Sequence, residues 1–138
     1  PNARGIICGL TRGTTKAHIA RATLEAMALQ NVEILQAMQK DMGGKLRSVR
    51  VDGGAAANNL LMQMQADYLG VSVERPAFLE TTALGAAFLA GLGAEIWSSP
   101  GEIRKIWRPE RIFHPQLSPK GRRLRLENWS SAITRAKL

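Results

Sequence analysis

Two short period-2 alternations, residues 46–51 and 71–75, flank a pair of glycines and one helical stripe. No other feature of the chain restricts its fold as much. In the first alternation Leu46, Ser48 and Arg50 fall on one side and Arg47, Val49 and Val51 on the other, the pattern of a strand. Gly53 and Gly54 stand at its exit. Leu60, Leu61, Met64 and Tyr68 then mark a helix from about Ala56 to Tyr68, and Gly70 closes it. Val71-Ser72-Val73-Glu74-Arg75 alternates again until Pro76 stops it. A strand, a helix and a strand joined this tightly form a βαβ unit, so the two strands are expected to be parallel neighbours.

The glycine pair carries the first functional hint. Residues without Cβ let a ligand approach the backbone. A helix starting just beyond them turns its free N–H groups toward the same point. Nucleotide sites use this geometry, but Gly-Gly at a strand exit also serves simply to make the turn. The stretch alone does not separate the two readings.

Upstream, residues 5–10 read as a short buried strand, and Thr14 or Thr15 as the N-cap of a helix that Gly43-Gly44 ends after Met42. At ~1.5 Å per residue that helix is roughly 40 Å long. Its first half, Ala17 to Leu29, is rich in alanine with a narrow polar stripe, so it is expected to be packed on most sides. Downstream, Glu80-Thr81-Thr82 precede a helix of small residues over 83–91, expected to sit tightly under the glycine turn. Pro100 starts a short helix, residues 111–115 read as extended, and Ser118 or Pro119 starts a last helix to about Lys137. Leu124, Leu126, Trp129 and Ile133 form its apolar side.

Of the net charge of +8, most lies at the end: residues 100–138 hold ten Lys/Arg against three Asp/Glu. Such a tail suits a nucleic acid, with Trp107 and Trp129 as a stacking platform, but a solvated helix face or a surface paired with acidic segments not in this sequence is preferred, the tryptophans then anchoring the last helix. His18 and His114 have no carboxylate or thiol at a supporting spacing, so neither is taken as an acid, a base or a ligand. One cysteine, Cys8, excludes an internal disulfide framework. The apolar runs are too short for a membrane span. The start, Pro1-Asn2-Ala3, leads directly into the first strand without a signal-peptide pattern, as in a piece of a longer chain.

Gly5, Ile7, Gly9 and Leu10, seven further residues, then His18-Ile19 and Ala22-Thr23-Leu24-Glu25 resemble a signature of the FGGY carbohydrate kinase family. Three blocks are similar to its glycerol-phosphorylating members: residues 9–13, residues 50–54 through Asn58-Asn59, and Glu74-Arg75-Pro76 with residues 82–87. The similarity covers about residues 3–115 and follows the terminal helix in outline. It implies an α/β fold, part of the second domain of an actin- and hexokinase-like (ribonuclease H-like) kinase. Residues 1–138 would be its C-terminal portion, with a core at 4–97 and a basic helical segment at 100–138.

The resemblance further implies a cytoplasmic, homo-oligomeric enzyme that transfers phosphate from ATP, with Mg²⁺, to glycerol, giving glycerol 3-phosphate. Another FGGY sugar kinase is the alternative, and after it a basic nucleic-acid-binding module. By the same resemblance Gly53, Gly54 and Asn58 line the ATP/ADP site. Neither a catalytic residue nor a metal ligand is expected here, because the phosphate clamps, metal carboxylate and base lie upstream, in the missing N-terminal domain and the early part of the second. The chain alone is therefore expected to be inactive. Asp52 is read as a strand-end residue that holds the turn.

Overall fold

The computed structural model describes residues 4–137. The abrupt start at Pro1 falls largely outside them. A three-stranded sheet holds the molecule together. β1 (Ser48–Arg50) runs parallel to β2 (Ser72–Pro76), with Val49 opposite Val73 and Arg50 opposite Glu74. β3 (Pro109–Phe113) pairs with the other edge of β2, antiparallel, and its register slips at Arg75/Pro76. The parallel pair and its crossover helix, α2 (Asn59–Leu69), are the βαβ unit expected from the sequence.

α2 covers one face of the sheet and the long helix α1 (Lys16–Met42) lies on α2. The core forms where they meet: Ala28, Leu29 and Val32 of α1, Leu61, Met64, Ala66 and Tyr68 of α2, Val73 and Phe113 from the strands. One buried polar side chain crosses this seam with its hydrogen bonds satisfied. Gln65 donates to the Ala28 carbonyl at 3.3 Å and accepts from Asn31 at 3.0 Å. Of the predicted stripe on α2, Leu61, Met64 and Tyr68 are buried, whereas Leu60 in the first turn is exposed.

Three expectations about packing are corrected. The first half of α1 is not enclosed: residues 16–23 are exposed, and burial is confined to the stretch facing α2. An 11-residue helix cannot cover a 27-residue one, and α5 meets that half near Glu25, where Arg125 lies 4.0 Å away, beyond residues 16–23. Residues 5–10 form no strand and Ile7 is 67% exposed: none of the three strands of the sheet takes up this segment. α3 (Thr81–Gly93) is tied down at its start but not packed under the turn, and Leu89 is 72% exposed. Only Gly91 is buried there. A Cβ on it would meet the Trp97 ring at 2.2 Å, and that ring also stands edge-on to Phe88 at 5.4 Å.

The C-terminal segment closes over the same core. α4 (Pro100–Ile106) carries proline in its first turn, as predicted. Ser118 caps α5 (Pro119–Ala136) by accepting from the Gly121 N–H at 3.1 Å. Leu126 and Trp129 pack on the core, while Leu124, predicted to join them, is exposed. Burial of Tyr68, then its neighbour Glu25, raises the phenol above its ordinary pKa, with Arg125 of α5 opposing.

Arg122 donates to the Tyr68 carbonyl at 2.8 Å, placing a cation at the C-terminus of α2. Its guanidinium lies over Gly70, which ends α2 at φ +72°, and a Cβ there would come 2.5 Å from it. Gly70→Ala must therefore adopt a left-handed backbone and push Arg122 aside. The backbone alone costs about 1–2 kcal/mol, and we expect at least that loss in urea unfolding. An unchanged midpoint would mean that the cap is not under strain.

Candidate functional site

The glycine turn is built differently from a simple strand-to-helix junction. Gly53 sits at φ 77° and ψ 173°, a region essentially reserved for glycine. Gly54 then opens a single 3₁₀ turn, Gly54–Ala57, and α2 begins only at Asn59. The expectation that α2 starts at Ala56 and aims free N–H groups at the glycines is corrected. Asn58 takes the N-cap position and accepts from the Leu61 N–H at 3.1 Å, so that donor is already used. The competing side-chain bond of an asparagine explains the later start.

The turn is anchored on both sides of Gly54. Before it, the Gly53 N–H donates to the Leu79 carbonyl at 2.8 Å, and Thr81, at the start of α3, donates its hydroxyl to Asp52. Asp52 thus holds the turn, as read from its place at the strand end. After it, Arg75 reaches from β2 and donates to the carbonyls of Ala56 at 3.0 Å and Ala57 at 3.4 Å, and to Asn59 at 2.8 Å. Glu110 of β3 accepts two further bonds from the same guanidinium, at 3.0 and 2.9 Å. A groove of about 220 Å³ runs beside this cluster, along Ala57, Pro76, Ala77 and Leu79.

Of the three predicted site residues, Gly54 and Asn58 are exposed and Gly53 is half-buried. A Cβ on Gly54 would meet nothing within 4 Å, so its open side is free for a ligand. Arg75 was not predicted, although the sequence carries its signal. It shares a face of β2 with the buried Val73, and a charged group on an inward face requires partners.

Both histidines have structural duties. His18 accepts from the Thr15 N–H at 3.0 Å at the start of α1, and His114 lies 3.0 Å from the Ser72 hydroxyl. The tryptophans are engaged too: Trp129 packs on the core and the Arg50 guanidinium covers Trp107 at 3.8 Å. Among the described residues no group of three His, Cys, Asp or Glu is placed to hold a metal ion, and no helix is long and apolar enough to cross a membrane. The surface can approach and position a ligand. It offers no ligand set to which a step through Mg²⁺ could be assigned.

Residues 1–94 match the model of the FGGY family of carbohydrate kinases, C-terminal domain. The glycerol kinase of Bdellovibrio bacteriovorus is 66% identical over 135 residues, which is 98% of this chain and 27% of that protein. That match extends into the terminal helix, where the sequence resemblance was in outline only. The structure of Plasmodium falciparum glycerol kinase with ADP matches with a TM-score of 0.90 at 36% identity, over 99% of this chain and 28% of the other. Xylulose kinase from Lactobacillus acidophilus, at 22% identity and a TM-score of 0.78, shares the fold over 96% of this chain and 26% of its own. The chain thus spans just over a quarter of the length of these relatives.

Proposed function

We propose that this chain, which belongs to the FGGY family of carbohydrate kinases, forms one wall of the ATP site in a complete glycerol kinase. Gly54 lets the nucleotide lie against the backbone, with Gly53 shaping the turn behind it. Asn58 offers its amide N–H to the base or sugar while its oxygen caps α2. Mg²⁺ travels with the nucleotide phosphates, and its ligands and the base that activates the glycerol hydroxyl belong to the rest of the enzyme. We place the enzyme in the cytoplasm, where ATP is available and the single, exposed Cys8 stays reduced. The observation that carries the reading is the open space at Gly54, with Asn58 exposed at the end of the same turn, which Arg75 anchors.

Asn58→Ser tests it in the complete kinase. Serine keeps a capping oxygen for the Leu61 N–H, so α2 is retained, but the amide donor is lost. One lost hydrogen bond of about 1 kcal/mol raises the KM for ATP about fivefold, with the KM for glycerol unchanged. Asn58→Ala removes the cap as well and should cost about 1 kcal/mol of stability in addition. An unaltered KM for ATP in the serine variant would refute the placement of the nucleotide.

A further inference from the structure

We infer that Arg75 is the positioning residue of this turn, and that Glu110 of β3 acts through it to set how Gly54 and Asn58 meet the nucleotide. The inference deepens the proposed function and rests on it. A single 3₁₀ turn has poor hydrogen-bond geometry and little stability of its own. The side chains of Ala55, Ala56 and Ala57 are methyl groups, and only that of Ala56 is buried. Among the alanines, therefore, only the Ala56 methyl group ties the turn to the core, while Ala55 and Ala57 add nothing of the kind. The part after Gly54 owes its position largely to polar bonds from outside, and those come from Arg75.

The guanidinium suits this task. It is planar, always charged, and presents several donors in fixed directions. Here those donors divide between two groups. One nitrogen, Nη1, serves the two turn carbonyls and Asn59, while Nε and Nη2 serve Glu110. Only 9% of Arg75 is exposed, so its charge needs these partners to remain where it is. Phe113, also on β3, places its ring 5.4 Å from the same guanidinium. Arg75 thus links the turn before α2 to a strand some fifty residues later. Lysine at this position would keep the charge but could not span acceptors on both sides.

The test is steady-state kinetics of glycerol phosphorylation by the complete kinase carrying Arg75→Lys. Misplacement of a binding group can cost up to about a hundredfold. We expect the KM for ATP to rise about tenfold or more, with kcat at saturating ATP within about threefold of the parent and the KM for glycerol within about twofold. Glu110→Gln should shift the KM for ATP in the same direction by a smaller factor. The double variant should be no worse than Arg75→Lys, because Glu110 acts through Arg75.

In Arg75→Ala, low-millimolar guanidinium should restore part of the affinity for ATP, since the groove beside the vacated site admits a small cation. A lower thermal midpoint with an unchanged KM for ATP would reduce Arg75 to a structural residue and overturn the inference. Independent effects of Arg75 and Glu110 would overturn the link through β3. If Asn58→Ser weakens ATP and Arg75→Lys does not, this inference fails alone. If neither does, the nucleotide site itself is misplaced and both readings fall.

Discussion

Gly54→Ala is expected to leave the fold intact and to raise the KM for ATP of the complete kinase about tenfold, while Gly53→Ala is expected to destabilise the fold first. The two adjacent glycines are required for different reasons. Gly53 has φ 77° and ψ 173°, so any side chain there is strained by the backbone even though the space around it is empty. Strain of that kind costs about 1–3 kcal/mol. Gly54 has no such backbone and no neighbour within 4 Å of a Cβ, so alanine is tolerated by the folded chain. If Gly54 is glycine because the nucleotide lies against it, the added methyl group takes the space the ligand needs. Thermal unfolding and ATP titration of both variants separate the two roles. A Gly54→Ala enzyme with unchanged ATP affinity would show that the pair makes a turn and nothing more.

The same contrast shows what the sequence could and could not convey. Local chemistry was legible: Thr15 before α1, Gly43 and Gly70 at helix ends and Ser118 before α5 all stand where a cap is needed. The parallel pairing of β1 and β2 followed from the short connections around α2. Apolar pattern, by contrast, says which residues favour burial but not what buries them. Residues 16–23 of α1, residues 5–10 and most of α3 read as interior, yet they are left largely exposed. A chain that spans 27% of a relative's length can carry such surfaces. The later start of α2 was missed because Gly-Gly-Ala-Ala-Ala reads as a helix until the Asn58 side chain is seen to compete for its first turn. The link from Arg75 to Glu110 was hidden because the partners are 35 residues apart.

Phe113→Ala should be among the most destabilising substitutions in this chain, costing about 3–5 kcal/mol. The residue belongs to the basic C-terminal segment, outside the 4–97 core expected from the sequence, yet it is 2% exposed and pairs with Val73 across the sheet. Its ring fills the core beside β2 and lies under the guanidinium of Arg111 at 4.7 Å as well as that of Arg75. Truncation leaves a cavity at the strand that carries Arg75, so local opening should reach the glycine turn. Hydrogen exchange of the β2 amides in the complete kinase should accelerate strongly, and the KM for ATP should rise with it. Ile112→Ala is the control: the neighbouring side chain is 43% exposed, and its loss should cost under about 1 kcal/mol. Equal effects of the two substitutions would mean that the Phe113 ring contributes no more to the core than an exposed side chain of the same strand. A large difference would make the basic segment part of the core that holds the nucleotide turn, through one aromatic ring and one carboxylate on the same strand.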